Sequence, residues 1–190
     1  MIVTEPDSTD EQRREAFRAV AGQFASGVTV VIALRDGEPH ATTASSFVAV
    51  SSEPPLIAVC FAESARMQLL LRESKRFTVS VLREEDHPLA RRFARPDRPM
   101  GWSGLAGVAL ARRDPHPPVL EQAVAWFDCA QREILPLGDH LCFVGEVLAM
   151  ERDGSAQPLL YYRGRFHRLG PPAAPPRWST IDRTDLAADW

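Results

Sequence analysis

Apolar positions along the chain switch between a helical and a strand period, and the switches outline its elements. Within residues 10–24, Phe17, Val20, Ala21 and Phe24 recur at helical spacing. Ser8, Thr9 or Asp10 can cap that segment and acids fill its first turn, so an amphipathic N-terminal helix is expected, its end bracketed by Gly22 and Gly27. The β-branched run 28–34 then stops at Asp36-Gly37, a two-residue hairpin signal. In 41–61, ATTASSFVAVSSEPPLIAVCF, hydroxyl and small residues lead into an alternating run, then Glu-Pro-Pro, then a fully apolar run. Two strands joined at a Pro-Pro corner are predicted. Thr42, Thr43, Ser45 and Ser46 crowd one end of the first of these, where short side chains let a flat ligand approach the backbone. A Ser/Thr edge strand kept for solubility has the same composition.

Ser64 can cap a helix running to about Glu73, with Met67, Leu70 and Leu71 on its buried face. Residues 77–82 alternate as a strand, and 86–93 read as a short helix with Pro88 in its first turn. Pro96, Pro99, Gly101, Gly104 and Gly107 make 95–107 a long loop of the kind that covers a site. The runs 123–134 and 141–150 form a strand pair around Leu137-Gly138-Asp139-His140, and 159–162 with 165–169 a closing hairpin around Gly164. Strands outnumber helices and lack βαβ alternation, so a mainly β barrel with peripheral helices is expected. One domain over 1–170 accounts for these elements, followed by a Pro-rich C-terminal tail, 171–190, whose Pro171 to Pro176 stretch is stiff.

Composition narrows the function. With 45% hydrophobic and 25% charged residues, the chain of 190 residues is ordinary for a soluble protein. A net charge of -3 argues against nucleic acid, so Arg91-Arg92 and Arg112-Arg113 read as solvated faces. No apolar run is long enough to span a bilayer and the N-terminus does not read as a leader, so no membrane partner and a cytoplasmic location are expected. Cys60, Cys129 and Cys142 are far apart in strand-like stretches, which suits buried thiols and supplies no metal site. GWSGLAG has neither the dinucleotide fingerprint nor the phosphate-loop spacing. Neither GxSxG nor HExxH occurs, and Asp128, Glu133, Asp139 and Glu146 read as surface carboxylates.

Five segments in order, FASGVTVV, HATTASSFVAVSSEPPLIAVCF, RFTVSVL, WFDCAQREILPLGDHLCFVGEV and PLLYYRGRFHRL, closely resemble the flavin reductase-like family from about residue 17 to 169. The resemblance implies an FMN-binding split β-barrel. It also implies an NAD(P)H:flavin oxidoreductase that transfers hydride from NADH or NADPH to FMN or FAD and supplies reduced flavin to a partner monooxygenase. A homodimer is implied, because relatives build the flavin site at a subunit interface. By the same resemblance Thr42, Thr43, Ala44, Ser45 and Ser46 hold the isoalloxazine ring, mostly through backbone groups. Cys60, Phe61 and Ala62 would lie along the flavin's side chain, and Ser64 would meet the phosphate at a helix N-terminus. Glu63 adds a negative charge there that Arg66 offsets only by turning inward, and Lys75 and Arg76 are alternative phosphate partners. Gly138, Asp139 and His140 belong to the nicotinamide side, His140 as the catalytic residue, and the YYRGRF hairpin closes the site. Tyr161, Tyr162 and Phe166 read as core, and Trp102 as the better stacking candidate. Two alternatives stay open: a flavin-binding module without turnover, acting as sensor or electron store, and a split-barrel oxidase with its own substrate.

Overall fold

The protein is described by a computed structural model over residues 9–171, so expectations for the tail fall outside the described residues apart from Pro171. Helix α1 (Asp10–Ala21) opens on a capping box: the Thr9 hydroxyl accepts from the Gln12 N–H, and the Gln12 side chain accepts from the Thr9 N–H at 2.9 Å. The helix ends three residues earlier than the sequence pattern suggests, capped by Gly22. Its apolar stripe stays open, with Phe17 72% exposed, Val20 58% and Phe24, beyond the helix, 82%.

Strand β1 (Ser26–Gly27) is followed by the hairpin of β2 (Thr29–Arg35) and β3 (Glu38–Ala44). Asp36 and Gly37 both have positive φ, 52° and 79°, as the predicted tight turn requires. Next come β4 (Val48–Ser52), β5 (Pro55–Ala62), α2 (Arg66–Glu73), β6 (Arg76–Val81), α3 (His87–Ala94) and α4 (Gly101–Gly104). A ribbon of β7 (Leu110–Arg113) and β8 (His116–Leu120) precedes the long pair β9 (Ala125–Leu137) and β10 (His140–Arg152). The last described strands, β11 (Leu159–Tyr162) and β12 (Arg165–Arg168), join β1 in a small sheet.

The main sheet is antiparallel in the order β3-β2-β6-β9-β10-β5-β4. The chain leaves β3 at one edge and enters β4 at the other after only residues 45–47. So short a link forces the sheet to curl until its edges approach, which makes it a split barrel. Ser46 spans the split: its hydroxyl donates to the Cys60 carbonyl at 2.8 Å and accepts from the Cys60 N–H at 2.9 Å. Here the structure corrects the sequence reading. The hydroxyl-rich residues and the alternating run are not one strand; they lie on opposite edges, and Ser45 and Ser46 form the crossing.

β2 is buried on both faces, which is why it reads as a continuous apolar run. Val31 and Ala33 enter the barrel core with Val59, Phe77 and Phe143. Val30 and Ile32 face outward into a second cluster closed by Phe93 of α3 and Leu105 after α4. Gly145 of β10 is a packing glycine: a Cβ there would sit 2.6 Å from the Phe77 ring and 2.8 Å from Cys129. The β7–β8 ribbon covers the outside of β6, where buried Thr78 donates to the Pro118 carbonyl at 2.7 Å and Ser80 accepts from the Leu120 N–H at 3.1 Å. Asp128, expected at the surface, is wholly buried and accepts from Arg76 at 2.8 Å and from Arg113 at 3.2 Å. Arg113 is therefore no solvated charge, and neither is Arg92, which donates to the Gly104 carbonyl at 2.7 Å.

Candidate functional site

A groove of about 1120 Å³ opens beside the split. α3 and the residues after it form one wall, presenting His87, Arg91 and Arg95 at intervals of four, one helical face. The β11–β12 hairpin forms the other with Tyr161, Arg165, Phe166 and Arg168. Thr43 and Ser45 lie on the floor with Val28 and Leu159. Arg163 and Gly164, at φ 48° and 75°, make the tight turn that sets the hairpin. The Tyr161 and Phe166 rings meet at 5.6 Å, and the Arg91 guanidinium lies 5.9 Å from the Phe166 ring. Tyr161 is 38% exposed, so the expected core role does not hold for it.

Three of the four expected site hydroxyls are occupied by the protein itself. Thr43 donates to the Ala90 carbonyl at 2.7 Å, which pins β3 to α3. The Thr42 hydroxyl accepts from Arg98 at 2.8 Å, and Ser46 closes the split. Of these four, Ser45 alone is exposed on the groove with no side-chain hydrogen-bond partner among the described residues. Ala44 is buried and its carbonyl accepts from Thr29 at 2.9 Å. These contacts leave backbone rather than hydroxyls as what β3 offers a ligand.

From Ser46 the surface passes to Cys60 and on to the end of β5. The Cys60 N–H and carbonyl both point to Ser46, so Cys60 and Cys142, opposite on β10, form a non-hydrogen-bonded pair with neighbouring thiols. Burial, then the hydrogen bond with Cys142, pushes the Cys60 thiol up to about 11, so it is no thiolate nucleophile at neutral pH. Phe61 turns into the core against Phe143 at 6.3 Å. At the strand end Ala62 pairs with His140, and the Glu63 N–H donates to the Asp139 carbonyl at 3.0 Å. Ala62, Ser64 and the Gly138-Asp139-His140 turn thus share one end of the barrel. Gly138 takes φ 62° at the first turn position, where a side chain is disfavoured. His140 Nδ1 lies 2.7 Å from Asp139 Oδ1, and that hydrogen bond holds the Asp139 carboxyl below its ordinary range.

Several expectations for the phosphate and for stacking change. The N-cap of α2 is Ala65 and no side chain caps it, so Ser64 stays an exposed turn residue one position outside. Arg66 does turn inward, but its guanidinium donates to the Pro96 and Arg98 carbonyls. Arg76 is held by Asp128, and Lys75 is exposed. Trp102 sits in α4 away from the groove, its ring beneath the Arg112 guanidinium at 4.3 Å, while its backbone N–H donates to the Glu38 carboxylate at 3.1 Å. The loop after α3 instead sends Arg98 onto β3, where it donates to the Ala41 carbonyl at 2.8 Å and lies 3.1 Å from His40 Nε2. The basic groove walls were not read from the sequence, although the four-residue spacing of His87, Arg91 and Arg95 is a signal that could have found one of them.

Comparison with known proteins agrees with this architecture. The profile of the flavin reductase like domain matches residues 21–170. The reductase component of a 4-nitrophenol 4-monooxygenase/4-nitrocatechol 2-monooxygenase from Rhodococcus opacus is 38% identical over 155 residues, covering 82% of this chain and 80% of that protein. Among solved structures, the NADH:FAD oxidoreductase SgcE6 of Streptomyces globisporus C-1027, in complex with NAD and FAD fragments, superposes with a TM-score of 0.79 at 34% identity, covering 88% of this chain and 99% of that one. BorF, the flavin reductase component of a bacterial two-component tryptophan halogenase, superposes at 0.78 and 38% identity over 84% of this chain and 99% of its own. With a barrel split beside a basic groove and a family match over most of its length, the chain belongs to the flavin reductase-like domain family.

Proposed function

We propose that this protein is an NAD(P)H-dependent flavin reductase that takes FMN or FAD, reduces it with NADH or NADPH, and releases reduced flavin to a partner monooxygenase. The observation that carries this reading is the succession of contacts from Ser45 on the groove floor through Ser46, hydrogen-bonded to Cys60, along β5 to Ala62, which pairs with His140 of the Gly138-Asp139-His140 turn. The groove, about 1120 Å³, has room for ring systems, and its described lining residues include no buried acid–base pair, which suits a reaction that needs position more than proton traffic. Flavin and nicotinamide supply the hydride chemistry when bound. The chain's part is to bind and orient. Backbone groups of 42–46 hold the ring edge, Cys60 and Ala62 with the backbone of Phe61 line its side chain, and Ser64 is exposed at the end where the resemblance expects a phosphate, while Arg66 beside it is held by the Pro96 and Arg98 carbonyls. Asp139 fixes the His140 ring through Nδ1, leaving Nε2 to position the nicotinamide.

The same reading makes the protein a cytoplasmic homodimer whose catalytic unit is 1–170. The exposed Phe17, Val20 and Phe24 offer an apolar face for a second copy, and three free cysteines suit a reducing compartment. No helix among the described residues is long and apolar enough to cross a membrane. Assays crossing both flavins with both nicotinamides test the activity, and no NAD(P)H consumption with any flavin would overturn it. Replacing His140 by Ala should leave flavin affinity nearly unchanged and slow hydride transfer by up to about a hundredfold, since misplacing one ring by about 1 Å costs that much. Wild-type rates in stopped flow would return His140 to the status of a turn residue.

A further inference from the structure

The groove walls carry charge that the proposed reaction does not use. Arg95 is neutralised by Asp97 at 2.7 Å, and Arg168 lies 3.9 Å from Glu84. Arg91 and Arg165 have no carboxylate partner among the described residues, yet they face one groove from α3 and β12 with Phe166 in the same lining. Among the described residues Glu84 is the one acid on the lining. Such an arrangement is self-repelling unless an anion completes it. Arg66, expected to meet a phosphate, is instead committed to the Pro96 and Arg98 carbonyls, and Pro96 is itself part of the groove rim. The guanidinium forks left for phosphate oxygens are therefore those of Arg91 and Arg165.

We propose that Arg91 and Arg165 form a binding site for the pyrophosphate of a dinucleotide, so that this wall makes the enzyme prefer a dinucleotide to the corresponding mononucleotide. The inference rests on the flavin-reductase reading, which it deepens. The groove, about 1120 Å³, exceeds the upper end of a typical small-ligand pocket, roughly 1,000 Å³, which leaves length for a second nucleotide beyond the ring at Thr43 and Ser45. Both FAD and NAD(P)H carry a pyrophosphate, and this chemistry recognises either.

The test compares wild type with Arg91→Gln and Arg165→Gln, each checked for an unchanged melting transition. Dissociation constants are measured for riboflavin, FMN and FAD by flavin fluorescence, without turnover, and KM for NADH and for reduced nicotinamide mononucleotide. FMN phosphate and the FAD pyrophosphate each carry close to two negative charges near neutrality, so a diffuse field would weaken both alike, and only a positioned site changes their ratio. A loss of about tenfold in FAD relative to FMN, about 1.4 kcal/mol, assigns the site to the flavin dinucleotide. The same loss in NADH relative to its mononucleotide assigns it to the nicotinamide dinucleotide. Arg91→Lys should recover part of either loss, because charge returns without the fork. Both ratios unchanged in both glutamine variants overturns the proposal. Because flavin binding is read separately from NADH oxidation, that result differs from a wild-type protein that fails to reduce flavin.

Discussion

Two arginine clusters on this molecule look alike in composition and behave oppositely. Beside β6 and β9, Arg76 and Arg113 converge on Asp128, whose side chain is fully buried, and Arg113 also covers the Trp126 ring at 4.5 Å. In the groove, Arg91 and Arg165 line opposite walls with no carboxylate partner of their own among the described residues, and Glu84 on that lining pairs with Arg168. A cluster that contains its own anion is a lock, since desolvated charges persist only when paired. A cluster without one is stabilised only by solvent or by a ligand. Arg98 is intermediate: it is half-buried, and its partners are carbonyls, the Thr42 hydroxyl and the imidazole of His40.

The largest effect should follow from removing the anion of the lock. Asp128→Ala leaves two guanidinium groups facing a buried void, and breaking such a pair costs about 3 to 5 kcal/mol. Urea unfolding at neutral pH measures it, and a loss below about 1 kcal/mol would erase the distinction between the clusters. The counterpart in the groove, Glu84→Gln, should be nearly silent in the same experiment.

His40 gives the next effect, and its sign is set by Arg98. The guanidinium beside Nε2 requires that nitrogen to accept, so the ring is neutral. Burial first, then the charges of Arg98 and Arg66, lower its pKa to about 4. The unfolded chain takes up a proton near 6.5 and the folded one resists until about 4, so this contribution is complete above pH 6.5 and shrinks as pH falls from there to 4. Its full size is up to about 3 kcal/mol. Stability of wild type should therefore drop more steeply over that window than stability of His40→Gln. A constant difference between the two at pH 7.5, 6 and 4.5 would mean that the ring is not held neutral.

What could be read from the sequence was local. Turn chemistry at Asp36-Gly37, Gly138-Asp139 and Arg163-Gly164 located three hairpins, because two-residue turns leave few alternatives. The β9–β10 pair followed from its turn and two long apolar runs. What escaped were partnerships across distance. Asp128 is buried because Arg76 and Arg113 reach it from 52 and 15 residues away, and neither spacing has a period. The β7–β8 ribbon was not predicted at all: prolines such as Pro117 and Pro118 argue against a strand, yet both lie in a strand of a two-stranded ribbon. The pattern of α1 was right about amphipathicity and silent about what covers Phe17 and Val20. The groove has walls about seventy residues apart, so only the stripe on α3 left a trace.

The smallest expected effect discriminates most cleanly between lock and site. Arg165 is exposed on β12 and makes no ion pair among the described residues, so Arg165→Ala should change stability by less than about 0.5 kcal/mol. A slight gain at low salt would fit relief of repulsion with Arg91 and Arg168, and it should vanish as salt screens the groove. Arg113→Ala, which removes a charge of the same sign from the other cluster, deprives Asp128 of one of its two partners and the Trp126 ring of its cover. It should cost clearly more, and salt should change that cost little because the carboxylate is out of solvent. Thermal unfolding of the two variants at low and high salt makes the comparison. If Arg165→Ala proves as destabilising as Arg113→Ala, the groove arginines are holding the fold together, and their lack of acidic partners would no longer distinguish the two clusters.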